Sequence, residues 1–191
     1  MTLQHELTIP AVEAAPLLLG AIITRQLAGN TVTARIVEVE AYDQLDPASH
    51  SFKGETKRTL AMFGPAGHMY VYFTYGMHYC CNVVVGAEGQ GSAVLIRAVE
   101  PLSGLGFLRE RRPGIVGDIQ LTNGPGKLCQ ALSITLAENG HDLSMPPLKI
   151  ELQQLQKNET IIQTTRIGIS KAKDKKSRFY IKANPYVSLP R

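Results

Sequence analysis

The sequence predicts an α+β fold in a single domain, with a curved, mostly antiparallel sheet flanked by helices. Its 191 residues suffice for one domain with a sizeable core. The apolar patterning gives one helix, then several strands, then helices, then strands again, an order typical of α+β proteins. We find no internal repeat, low-complexity segment or linker that would divide the chain.

Composition excludes several classes of protein. The three cysteines include the neighbours Cys80 and Cys81 and form no CxxC motif, so neither a disulfide framework nor a zinc or iron–sulfur site is expected. No metal or other cofactor is predicted. No apolar run reaches the ~18 residues of a membrane helix, and the first residues do not resemble a signal peptide. We therefore expect a cytoplasmic protein, nucleoid-associated if bacterial, whose net charge of +4 permits nucleic-acid binding.

Residues 8–29 are predicted to form the first helix. Thr8 can cap its start and Pro10 suits its first turn. An apolar stripe at helical spacing follows, and Gly29 with Asn30 gives a turn signal at the end.

A strand is predicted from Arg35 to Tyr42. Side chains alternate along a strand, so Glu38, Glu40 and Tyr42 should share one face. That face is either the wall of a pocket or a solvated polar face at a sheet edge, which is the more usual place for charged side chains. The residues alone leave both interpretations open.

The long loop over residues 43–66 carries His50 and precedes an aromatic strand. A loop of this length is more often functional than accidental, although a single His in a loop is usually a surface residue. Four of the seven tyrosines then fall at positions 70, 72, 75 and 79. Tyr70 and Tyr72 should point to one side of the strand, and Tyr75 to the other. These rings either stack on flat ligands such as nucleobases or fill a core.

Further strands are predicted over residues 79–85 and 93–99. The second contains Arg97 among apolar residues, and a buried Arg needs a partner, which Glu38 or Glu40 could supply. Two helices follow over residues 103–112 and from about 122 to 132. Lys127 in the second helix is a candidate contact for a DNA-backbone phosphate.

The last third of the chain is predicted to form three strands, over residues 147–152, 166–170 and 178–182. Between the last two lies a segment, Lys171–Arg178, with five basic residues. It is either a solvated hairpin tip or a surface that contacts phosphates.

With these stretches identified, the sequence resembles the alkyladenine (3-methyladenine, methylpurine) DNA glycosylase family from about residue 15 to residue 188. The segments that carry the resemblance occur in the family's order. They are Arg35–Tyr42, Ala48–Ser51, Met69–Asn82, Val94–Leu102, Gly124–Leu132, Arg166–Gly168 and Arg178–Tyr180.

The resemblance implies that residues 1–191 form a single DNA glycosylase domain, acting as a monomer on double-stranded DNA that contains a damaged purine. Such a monofunctional enzyme flips the alkylated or deaminated purine out of the duplex and hydrolyses its N-glycosidic bond, which starts base excision repair. It implies that Glu40 is the general base for the hydrolytic water. Arg97 and the main-chain carbonyl of Ile167 would help to hold that water.

The same resemblance implies roles for residues that contact DNA. Tyr42, His50 and Tyr72 would surround the flipped base, and Tyr75 would enter the duplex in its place. Asn82 would exclude the 2-amino group of guanine, and Lys127 would contact the DNA backbone.

Two other function classes are compatible with parts of the sequence. A catalytically silent nucleic-acid-binding module would keep the tyrosines and basic loops, but it would need neither Glu40 nor Arg97. A carbohydrate glycosidase could use Glu38 and Glu40, but carboxylates on one strand face do not flank a sugar from both sides.

Overall fold

Strand β2 (Asn30–Tyr42) is the centre of the fold in the computed structural model, which describes residues 2–74 and 76–188. The remaining strands are β1 (Ile22–Leu27), β3 (Met69–Thr74), β4 (His78–Val84), β5 (Ala93–Pro101), β6 (Leu148–Glu151), β7 (Ile161–Thr164) and β8 (Arg178–Ile181). One edge of β2 pairs with β5 over residues 34–42, while β1 and β8 share its other edge at residues 30–35 and 38–40. The order of the sheet is β3-β4-β5-β2-β1-β6, and β7 pairs with β8.

Helices flank this sheet and close its apolar core. Helix α2 packs on β2, and α5 packs against β4 and β5. Within the described residues no helix has the length and apolar character needed to cross a membrane. The helices are α1 (Leu3–Leu7), α2 (Ala11–Leu18), α3 (Leu105–Arg111), α4 (Asp118–Thr122) and α5 (Pro125–Ala131), and short 3-10 turns lie at His50–Lys53, Leu60–Phe63 and Leu136–Glu138.

The predicted fold class is confirmed. All described strand pairs are antiparallel, and helices flank the sheet. The predicted strands that begin at Arg35, Met69, Tyr79, Ala93, Pro147 and Arg178 are present within a few residues of their expected bounds. The predicted helix from about residue 122 is present as α5, preceded by the separate short helix α4.

The predicted helix over residues 8–29 is wrong. Within that range the helix α2 covers Ala11–Leu18 alone, and Thr8 ends the preceding helix α1 instead of starting a helix. Gly20 adopts a φ of 86°, a left-handed conformation that glycine tolerates and that stops a helix. The β-branched residues that follow then pair with β2 and β6 as strand β1.

The predicted strand over residues 166–170 is also wrong. The strand that pairs with β8 lies earlier, at Ile161–Thr164, and residues 166–170 form an irregular loop. Two features hold this loop out of the sheet. Arg166 is buried in an ion pair with Asp46, and Gly168 has a φ of 74°, which an extended strand does not accept.

Gly91 provides a test of how tightly the loop over residues 43–66 packs on the β4–β5 connection. A Cβ atom at this position would lie 2.5 Å from the Cβ of Ser51 and 2.6 Å from the ring of Phe63. Gly91→Ala should therefore lower the free energy of unfolding by about 1–3 kcal/mol through overpacking, as measured by denaturant titration. Gly106→Ala is the matched control, because no atom lies within 4 Å of its added methyl group. An equally small effect of both substitutions would contradict tight packing at Gly91.

Candidate active site

A cavity of about 490 Å³ opens where the ends of β2, β3, β4 and β5 meet two loops. The loops are those over residues 43–66 and 165–177, and Pro125 at the start of α5 completes the wall. Seven residues expected at the site line this cavity: Glu40, Tyr42, His50, Tyr72, Asn82, Arg97 and Ile167. Tyr75, the expected wedge, lies outside the described residues.

Glu40 is a buried carboxylate at the cavity wall. Its Oε2 accepts a hydrogen bond of 2.7 Å from the Tyr42 hydroxyl, and its Oε1 accepts one of 2.8 Å from the backbone N–H of Ile167. A carboxylate offers about two acceptor positions on each oxygen, so each oxygen of Glu40 retains one for a further donor such as water. Ile167 thus contacts Glu40 through its backbone N–H. A role for the backbone carbonyl of Ile167 in holding the water stays a prediction.

Glu38 has a different environment, although it also is fully buried. It accepts hydrogen bonds from Arg178 Nε at 2.6 Å and from the N–H and hydroxyl of Ser188 at 2.7 and 2.9 Å. Glu38 is not one of the described residues that line the cavity. The interpretation of these two carboxylates as a solvated face is therefore wrong, and Glu40 is the one that faces the cavity.

Arg97 lies between the two carboxylates. Its Nε is 3.3 Å from Glu38 Oε1, and its Nη1 is 3.3 Å from Glu40 Oε1. The pairing of β2 with β5 is irregular on both sides of Glu38, beside Arg97. The expectation that buried Arg97 has a glutamate partner is confirmed, and it has two. With Arg178, the group comprises two cations and two anions, which limits the cost of burying each charge.

Aromatic rings form an aromatic wall of the cavity, made by Tyr42, His50, Tyr70 and Tyr72. The rings of His50 and Tyr72 meet edge to face with centroids 4.4 Å apart, and Tyr70 lies 5.7 Å from Tyr72. On the β2 side, the guanidinium of Arg166 lies 4.5 Å from the centre of the Tyr42 ring. Burial raises the pKa of Tyr42 and of Tyr72 well above the ordinary 10, so both hydroxyls stay protonated at neutral pH.

His50 is fixed at the cavity mouth by Tyr70. Its Nδ1 is 3.0 Å from the Tyr70 hydroxyl. Loss of water around the imidazole, together with the nearby charge of Arg58, lowers the pKa of His50 to about 4. A neutral His50 places no positive charge beside a base in the cavity at pH 7.

Asn82 both lines the cavity and bonds to the backbone. Its Nδ2 donates to the carbonyl of Tyr70 at 3.0 Å, across the β3–β4 pair. The hydrogen bond fixes the amide in one orientation next to the aromatic wall. The Asn82 side chain therefore binds the backbone and lines the cavity at the same time.

The basic residues divide into buried and exposed groups. Lys127 is exposed two residues after Pro125, and its Nζ donates to Asn123 at 2.7 Å. Within the segment Lys171–Arg178, Lys171 lines the cavity, whereas Lys175 lies 3.3 Å from Asp46. Arg178 is buried against Glu38. The segment is thus neither a simple solvated tip nor wholly a phosphate-binding surface.

Three contributors were missed in the sequence. Tyr70 could have been found, because it shares a strand face with Tyr72. The pair of Arg166 and Asp46 could not, since its members are 120 residues apart and no local pattern marks them as partners.

A known protein family matches most of the chain. The family model described as Methylpurine-DNA glycosylase (MPG) matches residues 5–185. The chain belongs to the methylpurine-DNA glycosylase family. It is thus a member of a family of DNA N-glycosyl hydrolases, as the resemblance in the sequence indicated.

Relatives from three organisms are similar over most of their length. A protein of Carboxydothermus hydrogenoformans is 51% identical over 172 residues, which cover 90% of each chain. One of Methanoculleus marisnigri is 53% identical over 165 residues, or 83% of each chain. One of Nitrosospira multiformis is 46% identical over 180 residues, or 94% of this chain and 90% of the relative. Each bears the name "Putative 3-methyladenine DNA glycosylase".

The lowered pKa of His50 in this glycosylase predicts a pH-dependent stability. As the pH falls below 6.5, the unfolded chain binds a proton at His50 before the folded chain does, so stability is lost between about pH 6.5 and 4. His50→Gln should remove this contribution. The difference between the melting temperatures of the variant and of wild type should therefore change in favour of the variant by roughly 2–4 °C when the pH is lowered from 7.5 to 4.5. Solvent screening at the exposed ring keeps the effect modest. A constant difference between the two proteins across this pH range would contradict the prediction.

Proposed function

We propose that this glycosylase removes methylated purines, including 3-methyladenine, and deaminated purines from double-stranded DNA. The damaged base leaves the duplex, enters the cavity and is released by hydrolysis of its N-glycosidic bond. The proposed catalyst is a single domain that acts as a monomer and needs no cofactor. Its product is an abasic site, the first intermediate of base excision repair.

One observation carries the proposal: a fully buried carboxylate, Glu40, faces an aromatic cavity with an acceptor position left on each oxygen. A base-hydrolysing enzyme needs a group that orients and deprotonates water next to the sugar. The same negative charge stabilises the sugar cation that develops as the base departs. Tyr42 and Ile167 hold the carboxylate in one position, which gives the water a defined direction of attack.

The aromatic wall suits the proposed substrate. An alkylated purine carries a positive charge, and such a cation is attracted to the faces of tyrosine rings. Tyr42 and Tyr72 remain neutral there, and His50 adds no opposing charge. The positively charged base is already a good leaving group, so a positioned carboxylate and water suffice for its release. Tyr75 is proposed from the family resemblance as the residue that takes the base's place in the duplex.

Water is the proposed nucleophile. Among the described lining residues, Lys171 is the one lysine, and it is exposed, so desolvation does not activate its amine. A covalent Schiff base with the sugar is therefore not part of the proposal. The product should be an intact strand with an abasic site.

An excision assay on defined duplexes tests the function directly. Each duplex carries one lesion, 3-methyladenine, 7-methylguanine, hypoxanthine or ethenoadenine, and the released base and abasic product are both measured. Release of base with strand cleavage only after added alkali supports the proposal. DNA binding without release of any base would instead indicate a catalytically silent binding module. A protein–DNA adduct trapped by borohydride would overturn the assignment of water as nucleophile.

Glu40→Gln should abolish excision while leaving lesion-DNA binding largely intact. Glutamine is nearly isosteric but cannot accept a proton from water, so the single-turnover rate should fall by about 100-fold or more. Glu151→Gln, on an exposed glutamate of β6, is the matched control and should excise at the wild-type rate. Excision by Glu40→Gln near the wild-type rate would remove the basis of the proposed mechanism.

Asn82→Ser should allow release of undamaged guanine. We propose that Asn82 packs against C2 of the purine, where guanine carries an amino group that adenine and hypoxanthine lack. The shorter serine opens space there, and guanine release should be strongest from mismatches, where flipping costs least. Hypoxanthine excision should change much less. Guanine release that stays at background in mismatched duplexes, while lesion excision persists, would show that Asn82 does not discriminate.

A further inference from the structure

Arg97 lies at equal distances from two carboxylates. Its Nε and Nη1 are each 3.3 Å from their glutamate oxygens, on Glu38 and Glu40 respectively. Within the described part of the chain, Nε has no aligned hydrogen-bond partner despite being buried. The guanidinium is therefore held by electrostatic balance between the two carboxylates and not by a directional hydrogen bond to either one.

Glu38 is the fixed member of this arrangement. Arg178 from β8 and the N–H and hydroxyl of Ser188 donate to it at 2.6, 2.7 and 2.9 Å. Arg178 in turn donates to the carbonyl of Ser188 at 3.3 Å, which closes a ring of contacts around the carboxylate. Glu38 is fully buried and held by these donors, so its carboxylate stays in place beside Arg97.

We infer that Glu38 is a positioning residue that restrains Arg97 from closing onto Glu40 and so preserves Glu40 as an effective base. The inference rests on the proposed function, in which Glu40 activates water. Without the charge of Glu38, Arg97 would move toward Glu40, its other carboxylate partner among the described residues. It would then take the free acceptor position on Glu40 Oε1 and stabilise the ionised form, which makes the carboxylate a weaker base.

The other groups close to Glu40 are neutral or have their charge offset by a partner. Tyr42 on β2 and the amide of Ile167 are neutral donors. Cys80 on β4 is also neutral, because burial raises the pKa of its thiol to about 11. The charge of Arg166, behind the Tyr42 ring, is offset by Asp46 at 2.7 Å. Substitution of Glu38 therefore changes the charge near Glu40 without removing any hydrogen bond to it.

The test is the pH profile of single-turnover excision by Glu38→Gln on a methylated duplex. Rates should decrease at low pH as the general base becomes protonated, and in the variant this decrease should move to lower pH by about one unit. The rate on the plateau should fall by roughly tenfold, because a weaker base accepts the proton less readily. Binding of lesion DNA should stay within about threefold of wild type, since Glu38 does not line the cavity.

Two further variants separate positioning from simple loss of structure. Glu138→Gln breaks a different partly buried ion pair, between Glu138 and Arg25 at 2.7 Å, and should lower stability without moving the pH profile. The double variant Glu38→Gln with Arg178→Gln removes one negative and one positive charge together, so no unpaired buried cation opposes folding. It should show the same shift to lower pH as the single variant.

The outcomes distinguish this inference from the proposed function. Suppose that wild type excises and Glu40→Gln does not. If the decrease in rate at low pH is then unchanged, or moves to higher pH, in both Glu38 variants, the positioning role of Glu38 is overturned and the proposed function stands. If Glu40→Gln retains excision, the proposed function itself fails, whatever the Glu38 variants do. A shift to lower pH in the Glu38 variants, absent in Glu138→Gln, supports the inference.

Discussion

Four charged side chains buried at the centre of one sheet set the main constraint on this structure. Strand β2 supplies both carboxylates, and β5 and β8 each supply one guanidinium from opposite edges of β2. Any one of these charges buried alone would cost several kcal/mol. The antiparallel pairing of β2 with both neighbours is therefore required by electrostatics as well as by backbone hydrogen bonding, and the charge of Glu40 at the cavity is balanced only where this pairing is complete.

The cavity depends on a second buried ion pair, which joins its two loops. Arg166 in the loop over residues 165–177 contacts Asp46 in the loop over residues 43–66, and it also donates to the carbonyl of Ala41 at the end of β2. Its guanidinium covers the outer face of Tyr42. One side chain thus ties both loops to the central strand and packs on the ring of Tyr42.

The sequence predicted the parts of this site that depend on local pattern. Alternation along β2 and β3 placed Glu40 with Tyr42 and Tyr70 with Tyr72, and the family resemblance is confirmed over residues 5–185. The predictions were wrong where contacts between residues far apart in the sequence determine the structure. Residues 22–27 are a strand because β2 and β6 lie beside them. The different environments of Glu38 and Glu40 arise from Arg178 and Ser188, which lie 140 and 150 residues after Glu38. No local pattern contains that information.

The ring of contacts that Ser188 closes around Glu38 also sets the order in which the buried charges can be paired during synthesis of the chain. A ribosome releases β2 early and delivers Arg178 about 140 residues later, which takes roughly seven to thirty seconds at ordinary elongation rates. Until then a nascent chain contains Glu38 and Glu40 but not the donors that surround Glu38. The buried charges of β2 can therefore be balanced only after Arg178 and Ser188 have been synthesised.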